Sequence, residues 1–199
     1  MSLSPEQGSS TPPEHHTLLD IIRRRSVVRS YLSDPIEHEL LELLAEAACS
    51  APSGGNRQPL RFIIIQEPQR LRRIIAAAPG IYGEPTAIVA VCIDWARSPH
   101  LNVDDPRDTH STYVDVGAAM QNMLLMAEAL DLGACPVMSM HRPSLQTILE
   151  LPQDWTPYVL IALGWRAQRT KRAPSNHAQV RLREDVFWQR FEEASDHGG

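Results

Sequence analysis

Ala51–Pro59 reads APSGGNRQP. An apolar helical pattern runs into it, and an aromatic-to-aliphatic run, Phe62–Ile65, leaves it. Between them the residues are small and polar. Gly54 and Gly55 permit positive φ and let a ligand approach the backbone closely. Pro52 and Pro59 stiffen the two ends. Ser53, Asn56, Arg57 and Gln58 supply hydrogen-bond donors and acceptors between them. A connection of this kind suits a flat, hydrogen-bonding ligand; on residue types alone it suits an ordinary turn equally well.

Upstream, Asp34-Pro35-Ile36-Glu37 predicts a helix start, with Asp as cap, Pro at the first position and Glu at the third. Ile36, Leu40, Leu43, Leu44 and Ala47 then follow helical spacing. An earlier helix is expected from a Thr17 cap, with Leu18, Ile21 and Ile22 on one face. It ends in Arg23-Arg24-Arg25-Ser26-Val27-Val28-Arg29-Ser30-Tyr31. One or two arginines complement a helix C-terminus. This cluster exceeds that need, and guanidinium forks beside a hydroxyl are a usual way to hold phosphate.

Downstream, Phe62–Ile65 lacks polar alternation and reads as a central strand covered on both faces. A helical segment over 70–78 and a buried strand over Ala87–Ile93 follow. Residues 95–110 are irregular, rich in charge and proline, and suit either a surface loop or a cover over a site. Asp115–Leu130 is apolar around most of its circumference, with Gln121, Asn122 and Glu128 as interior polar residues. Such a helix must be buried. Burial against a second copy of the chain is the simplest way for a domain of this size. Gly133 is expected to end that helix, Pro143 to open a short one, and Tyr158–Leu163 to form a third buried strand closed by Gly164. A basic cluster, Arg169-Thr170-Lys171-Arg172, precedes Ala173-Pro174. Gln179–Leu182 suits an edge strand and Asp185–Ala194 a helix.

The 199 residues suffice for a single α/β domain. Residues 1–16, rich in Ser, Pro, Gln and Gly with no basic-then-apolar leader pattern, read as a disordered tail. No apolar run is long enough for a membrane span. The net charge of -5 argues against a general nucleic-acid binder. The three cysteines lack metal or disulfide spacing; Cys49 and Cys92 are expected as buried, reduced thiols in a cytoplasmic protein. The histidines are scattered, and no Ser-His-Asp or Cys-His arrangement is legible.

The P-S-x-x-N-x-Q-P stretch resembles the signature loop of the FMN-dependent nitroreductase family. The resemblance runs from about Leu18 to about Val180 and includes the Leu132–Pro136 stretch. It implies an α/β (α+β) fold, a mainly antiparallel central sheet wrapped by helices, and an intertwined homodimer holding two FMN molecules at its interface. The domain would run over 17–199 with a C-terminal arm. The resemblance further assigns Arg24, Arg25 and Ser26 to the FMN phosphate and Arg29 to the flavin edge in a catalytic role. Pro52, Ser53, Gly54, Asn56 and Gln58 would line the cofactor. So would Pro136, Val137 and Met138, with a backbone N–H of Met138 or Ser139 toward N5. Arg172, with Arg169 or Lys171, would complete the phosphate site. The implied activity is hydride transfer from NADH or NADPH through the flavin to an oxidised small molecule, such as a nitroaromatic or a quinone. Two alternatives stay open: a dehydrogenase or flavin-fragmenting enzyme of the same fold, and a non-enzymatic flavin-binding or structural homologue. The chain departs from the family pattern twice. Val27-Val28 places one extra residue between Ser26 and Arg29, and Leu60 stands where a Trp usually follows Gln-Pro.

Overall fold

The computed structural model describes residues 13–97 and 106–167, with side chains over 18–97 and 110–167. The order is α1 (Pro13–Arg24), α2 (His38–Cys49), β1 (Leu60–Ile65), α3 (Pro68–Ala77), β2 (Ala87–Asp94), α4 (Pro106–Ala129), β3 (Leu132–Val137), α5 (Arg142–Ile148) and β4 (Trp155–Trp165). All described residues fall in one unit, Met1–Arg169. No described helix is long and apolar enough to cross a membrane.

Every residue of β2 is buried. Its apolar side chains must therefore be covered on both faces. Val89, Val91 and Ile93 pack toward α2 and α4, while Ile88, Ala90 and Cys92 pack toward α3 and α5. The four strands run in the order β1-β2-β4-β3 with every neighbour antiparallel, as the family resemblance implies. The β2–β4 ladder shifts register between Val91 and Cys92.

Several sequence expectations are corrected. Among the described residues β1 lies at the edge of this sheet, not at its centre. It lacks polar alternation because Phe62 and Ile64 pack on one core and Ile63 and Ile65 on the other. α1 starts at Pro13, so residues 13–16 are its first turn and not part of a tail. α2 starts after a Glu37 cap, not at Asp34. The carbonyls of Pro35 and Ile36 are taken by Trp165 Nε1 at 3.2 Å and Gln66 Nε2 at 2.8 Å, so they are unavailable to a first helical turn. α4 ends through Asp131, at φ 59, and not through Gly133. Gly133 and Gly164 instead lie inside strands. Cys49, the last residue of α2, is exposed, whereas Cys92 and Cys135 are buried.

α4 is the helix the sequence indicated, but it starts at Pro106, inside the stretch read as irregular, and within one chain only part of its circumference is covered. Val116, Ala119, Met123 and Ala127 fill the core against the sheet. Val114 is 70% exposed, and nothing lies within 4 Å of where a Cβ on Gly117 would stand. Met123 thus belongs to the chain's own core and not to a surface between copies. Asn122 Nδ2 donates to Ala47 O at 3.1 Å, so it ties α4 to α2. Sequence assignments at 98–105, Arg169–Arg172, Gln179–Leu182 and Asp185–Ala194 lie outside the described residues.

Met123→Ala is expected to lower unfolding free energy by about 2–5 kcal/mol in urea titrations, the scale of a large-to-small core change. The cysteines provide a second check. A thiol reagent is expected to label Cys49 in the native protein and Cys92 and Cys135 only in denaturant. Burial pushes the Cys92 thiol from 9.0 up to about 12. Because the folded chain holds that proton more firmly, the associated stability is complete below about pH 9 and is lost as pH rises toward 12. Denaturant midpoints across that alkaline range are expected to fall more steeply for wild type than for Cys92→Ala.

Candidate functional site

The APSGGNRQP loop folds on itself. Asn56 N donates to Ser53 O at 2.9 Å, Gln58 N to Ser53 Oγ at 3.1 Å, and Gln58 Nε2 to Asn56 Oδ1 at 3.3 Å. Gly55 sits at φ 59, Asn56 at φ 55 and Gln58 at φ 50. Asn visits this left-handed region with modest cost and Gln with more, so the turn is strained. Charged side chains hold both ends. Gly54 N donates to Asp115 Oδ1 at 3.0 Å. Arg61 donates to Gln58 O at 3.3 Å and to Leu60 O at 2.9 Å, and pairs with buried Asp94. A shallow depression beside the loop is lined by Cys49, Pro52, Ser53, Gln58 and Asp115.

The arginine segment lies elsewhere. Arg24 ends α1, and Arg25 follows it, with its N–H on Ile21 O. The chain then runs extended along β3, with Val28 N on Ala134 O at 3.0 Å, and crosses to β4, with Leu32 N on Trp165 O at 2.8 Å. Glycines provide its seat. A Cβ on Gly133 would meet the Val28 side chain at 2.7 Å, and one on Gly164 would meet Tyr31 at 2.8 Å. Val27 faces solvent while Val28 packs inward. Tyr31 Oη donates to Val28 O at 2.7 Å. Burial, helped by Cys135 and opposed by Arg29, holds the Tyr31 phenol well above its usual range.

Arg29 is exposed, its guanidinium 5.4 Å from the centre of the Tyr82 ring. Gly83, at φ +73, lies so close to the Arg29 carbonyl that a Cβ would come within 2.4 Å of it. At the other end of the same turn, Gly80 N donates to Ser139 O at 3.2 Å. The Gly80–Gly83 turn therefore bridges Arg29 and the exit of β3. Val137 is buried there, Pro136 half-buried and Met138 52% exposed.

The structure thus brings Arg29 near the end of β3 but leaves the loop apart. Leu60 pairs with Ile93 and Ile93 with Thr156, which puts the loop at the start of β4. Tyr31 bridges Arg166, at the other end of β4. At ~3.3 Å per strand residue the loop lies roughly 30 Å along the sheet from Tyr31, but only roughly 13 Å from Val137, which pairs with Leu160. Sequence reasoning passed over Asp115, Arg61, Tyr82 and Gly83. Asp115 was legible as a lone acid four residues before Ala119 and eight before Met123 on the buried face of α4. The other three depend on contacts far apart in the chain.

Known proteins resemble this chain in sequence and fold. The chain is 27% identical over 179 residues to an FMN reductase [NAD(P)H] of Bacillus subtilis, covering 79% of this chain and 72% of that one. It is 27% identical over 175 residues to an NADH dehydrogenase of Thermus thermophilus, covering 74% and 85%. A crystal structure of a nitroreductase family protein from Clostridium difficile superposes with a TM-score of 0.72 at 26% identity, over 87% of this chain and 98% of that one. The Nitroreductase family model matches residues 21–81 and 76–165, which is most of the described chain, and the protein belongs to that family.

Proposed function

We propose that this nitroreductase-family enzyme, an FMN-dependent NAD(P)H oxidoreductase, passes its electrons to an oxidised small molecule such as a nitroaromatic or a quinone. When bound, FMN supplies two-electron transfer between the nicotinamide and that acceptor. The observation that carries the reading is the state of the polar groups. Among the described residues, Arg24 and Arg25 have no ion pair or hydrogen bond from their guanidinium groups, and the Ser26 hydroxyl has no partner. Uncompensated cations beside a free hydroxyl suit a phosphate dianion. On the loop, the Asn56 amide nitrogen and the Gln58 amide oxygen are unused among the described residues, and they suit the polar edge of a flavin.

In this reading Arg24, Arg25 and Ser26 hold the phosphate, joined by Arg172 and Arg169. Pro52, Ser53, Gly54, Asn56 and Gln58 line the ring, as do Pro136, Val137 and Met138. Arg29 keeps a fixed positive charge beside the ring, which favours arriving electrons through preorganised electrostatics. The Tyr82 ring steadies its guanidinium.

The separation of the loop from the arginine segment supports a homodimer. One chain cannot close both around one ligand, but a two-fold partner can bring its loop to the other chain's arginine segment. The open stripe of α4 at Val114, Gly117 and Gln121 is the surface for that contact.

The purified protein is expected to be yellow or to bind FMN in preference to riboflavin, and anaerobic NADH or NADPH should bleach its flavin absorbance. Equal affinity for riboflavin and FMN would eliminate the phosphate site. Arg25→Ala is expected to weaken FMN by about 1.5–3 kcal/mol, the scale of a hydrogen bond to a charged group, while riboflavin affinity stays unchanged. Light scattering tests the assembly. Wild type should show twice the 22.3 kDa chain mass, and Val114→Asp should shift it toward monomer with loss of flavin. A monomeric wild type that still binds FMN would remove the dimer from this account.

A further inference from the structure

We propose that Asp115 is the positioning residue of the Ser53–Gln58 loop: its carboxylate, through the Gly54 N–H, fixes the loop conformation that meets the flavin. This rests on the reading above that the loop lines the cofactor.

Asp115 is 7% exposed, and both of its oxygens face Gly54 N, at 3.0 and 3.3 Å. Among the described residues no cation lies against it. A buried carboxylate without a counter-ion is costly, and only hydrogen bonds to it offset that cost. It occupies a position on the inward face of α4 where an apolar side chain would suit the core, as at Ala119 and Met123.

The loop needs such a clamp. Two adjacent glycines make its peptides easy to rotate, and three of its residues are held at positive φ. The Ser53–Gly54 peptide sits between two partners: its N–H on Asp115, its carbonyl on Asn56 N at 2.9 Å. Rotating that peptide would turn its carbonyl toward the carboxylate and strand the Asn56 N–H. An ionised carboxylate accepts and never donates, so it opposes that rotation. Crowding does not set the geometry. A Cβ on Gly54 would meet Ser111 at 3.5 Å and Asp115 at 4.0 Å, which are ordinary contacts.

The test is amide hydrogen exchange of the flavin-free protein together with FMN affinity, for Asp115→Ala and Asp115→Asn. Glu128→Gln, at an equally buried acid farther along α4, serves as a control for general destabilisation. Asp115→Ala is expected to speed exchange at Gly54–Gln58 at least tenfold beyond any change at β2, and to weaken FMN at least tenfold. Asp115→Asn retains a carbonyl acceptor but adds an N–H donor that a rotated Ser53–Gly54 carbonyl could take, so it should fall between wild type and Asp115→Ala on both readouts. Glu128→Gln should leave loop exchange at its wild-type rate relative to β2. Unchanged loop exchange in a folded Asp115→Ala protein overturns the proposal, as does an Asn variant that behaves like Ala. Faster loop exchange with unchanged FMN affinity upholds the clamp and overturns the reading that this loop meets the flavin. Should the Ala variant not fold, Asp115→Asn decides alone: loop exchange at least threefold faster than wild type relative to β2 supports the proposal, and exchange at the wild-type rate overturns it.

Discussion

The burial of β2 on both faces is the constraint from which the architecture follows. A strand with apolar side chains on both sides cannot lie at a wet surface. α2 and α4 close one side of the sheet and α3 and α5 the other. With β4 beside it, β2 forms the central pair, and among the described strands β1 and β3 lie outermost. The ends of this rigid sheet are then the natural places for irregular chain. The polar loop enters at the start of β4, and the arginine segment crosses its end.

α4 links the two ends. Near one end its Asp115 accepts from Gly54, and near the other its Glu128 pairs with Arg166. Arg166 also donates to Leu132 O at 3.2 Å, which joins the helix to the start of β3 and the end of β4. Both acids are buried, and each would be costly without its donors. Their arrangement explains how a helix with so apolar a sequence holds one orientation on the sheet. Apolar packing alone tolerates rotation and sliding; a directional bond to a particular donor does not. The stripe of α4 away from these bonds stays open, and it is there that a second copy is proposed to dock.

The glycines follow a similar logic. Gly133 and Gly164 are strand residues whose missing side chains admit Val28 and Tyr31. The family-like arginine segment is thus held by close contact with the sheet, without becoming a strand of it. Val28 donates to the Ala134 carbonyl, and Val27 turns to solvent.

Much of the fold was legible in order along the chain. The runs at Phe62–Ile65, Ala87–Ile93 and Tyr158–Leu163 are strands, and the patterns before Cys49 and around Met123 are helices, because burial and periodicity are local properties of the sequence. The APSGGNRQP loop also declared itself through residue types that tolerate left-handed backbone. Tertiary structure alone decided the rest. Which strand lies at the edge depends on pairing between distant segments, and apolar content is the same for an edge strand packed on both sides. The start of α2 depends on Trp165 and Gln66 capturing the carbonyls of Pro35 and Ile36. The reason for Gly133 is Val28, more than a hundred residues earlier in the chain. The sequence by itself determined the elements and the chemistry available in the loop and the arginine cluster. Only the folded chain could show that these lie at opposite ends of one sheet and that Asp115 holds the loop, because distance and hydrogen-bond direction exist only once the segments are packed.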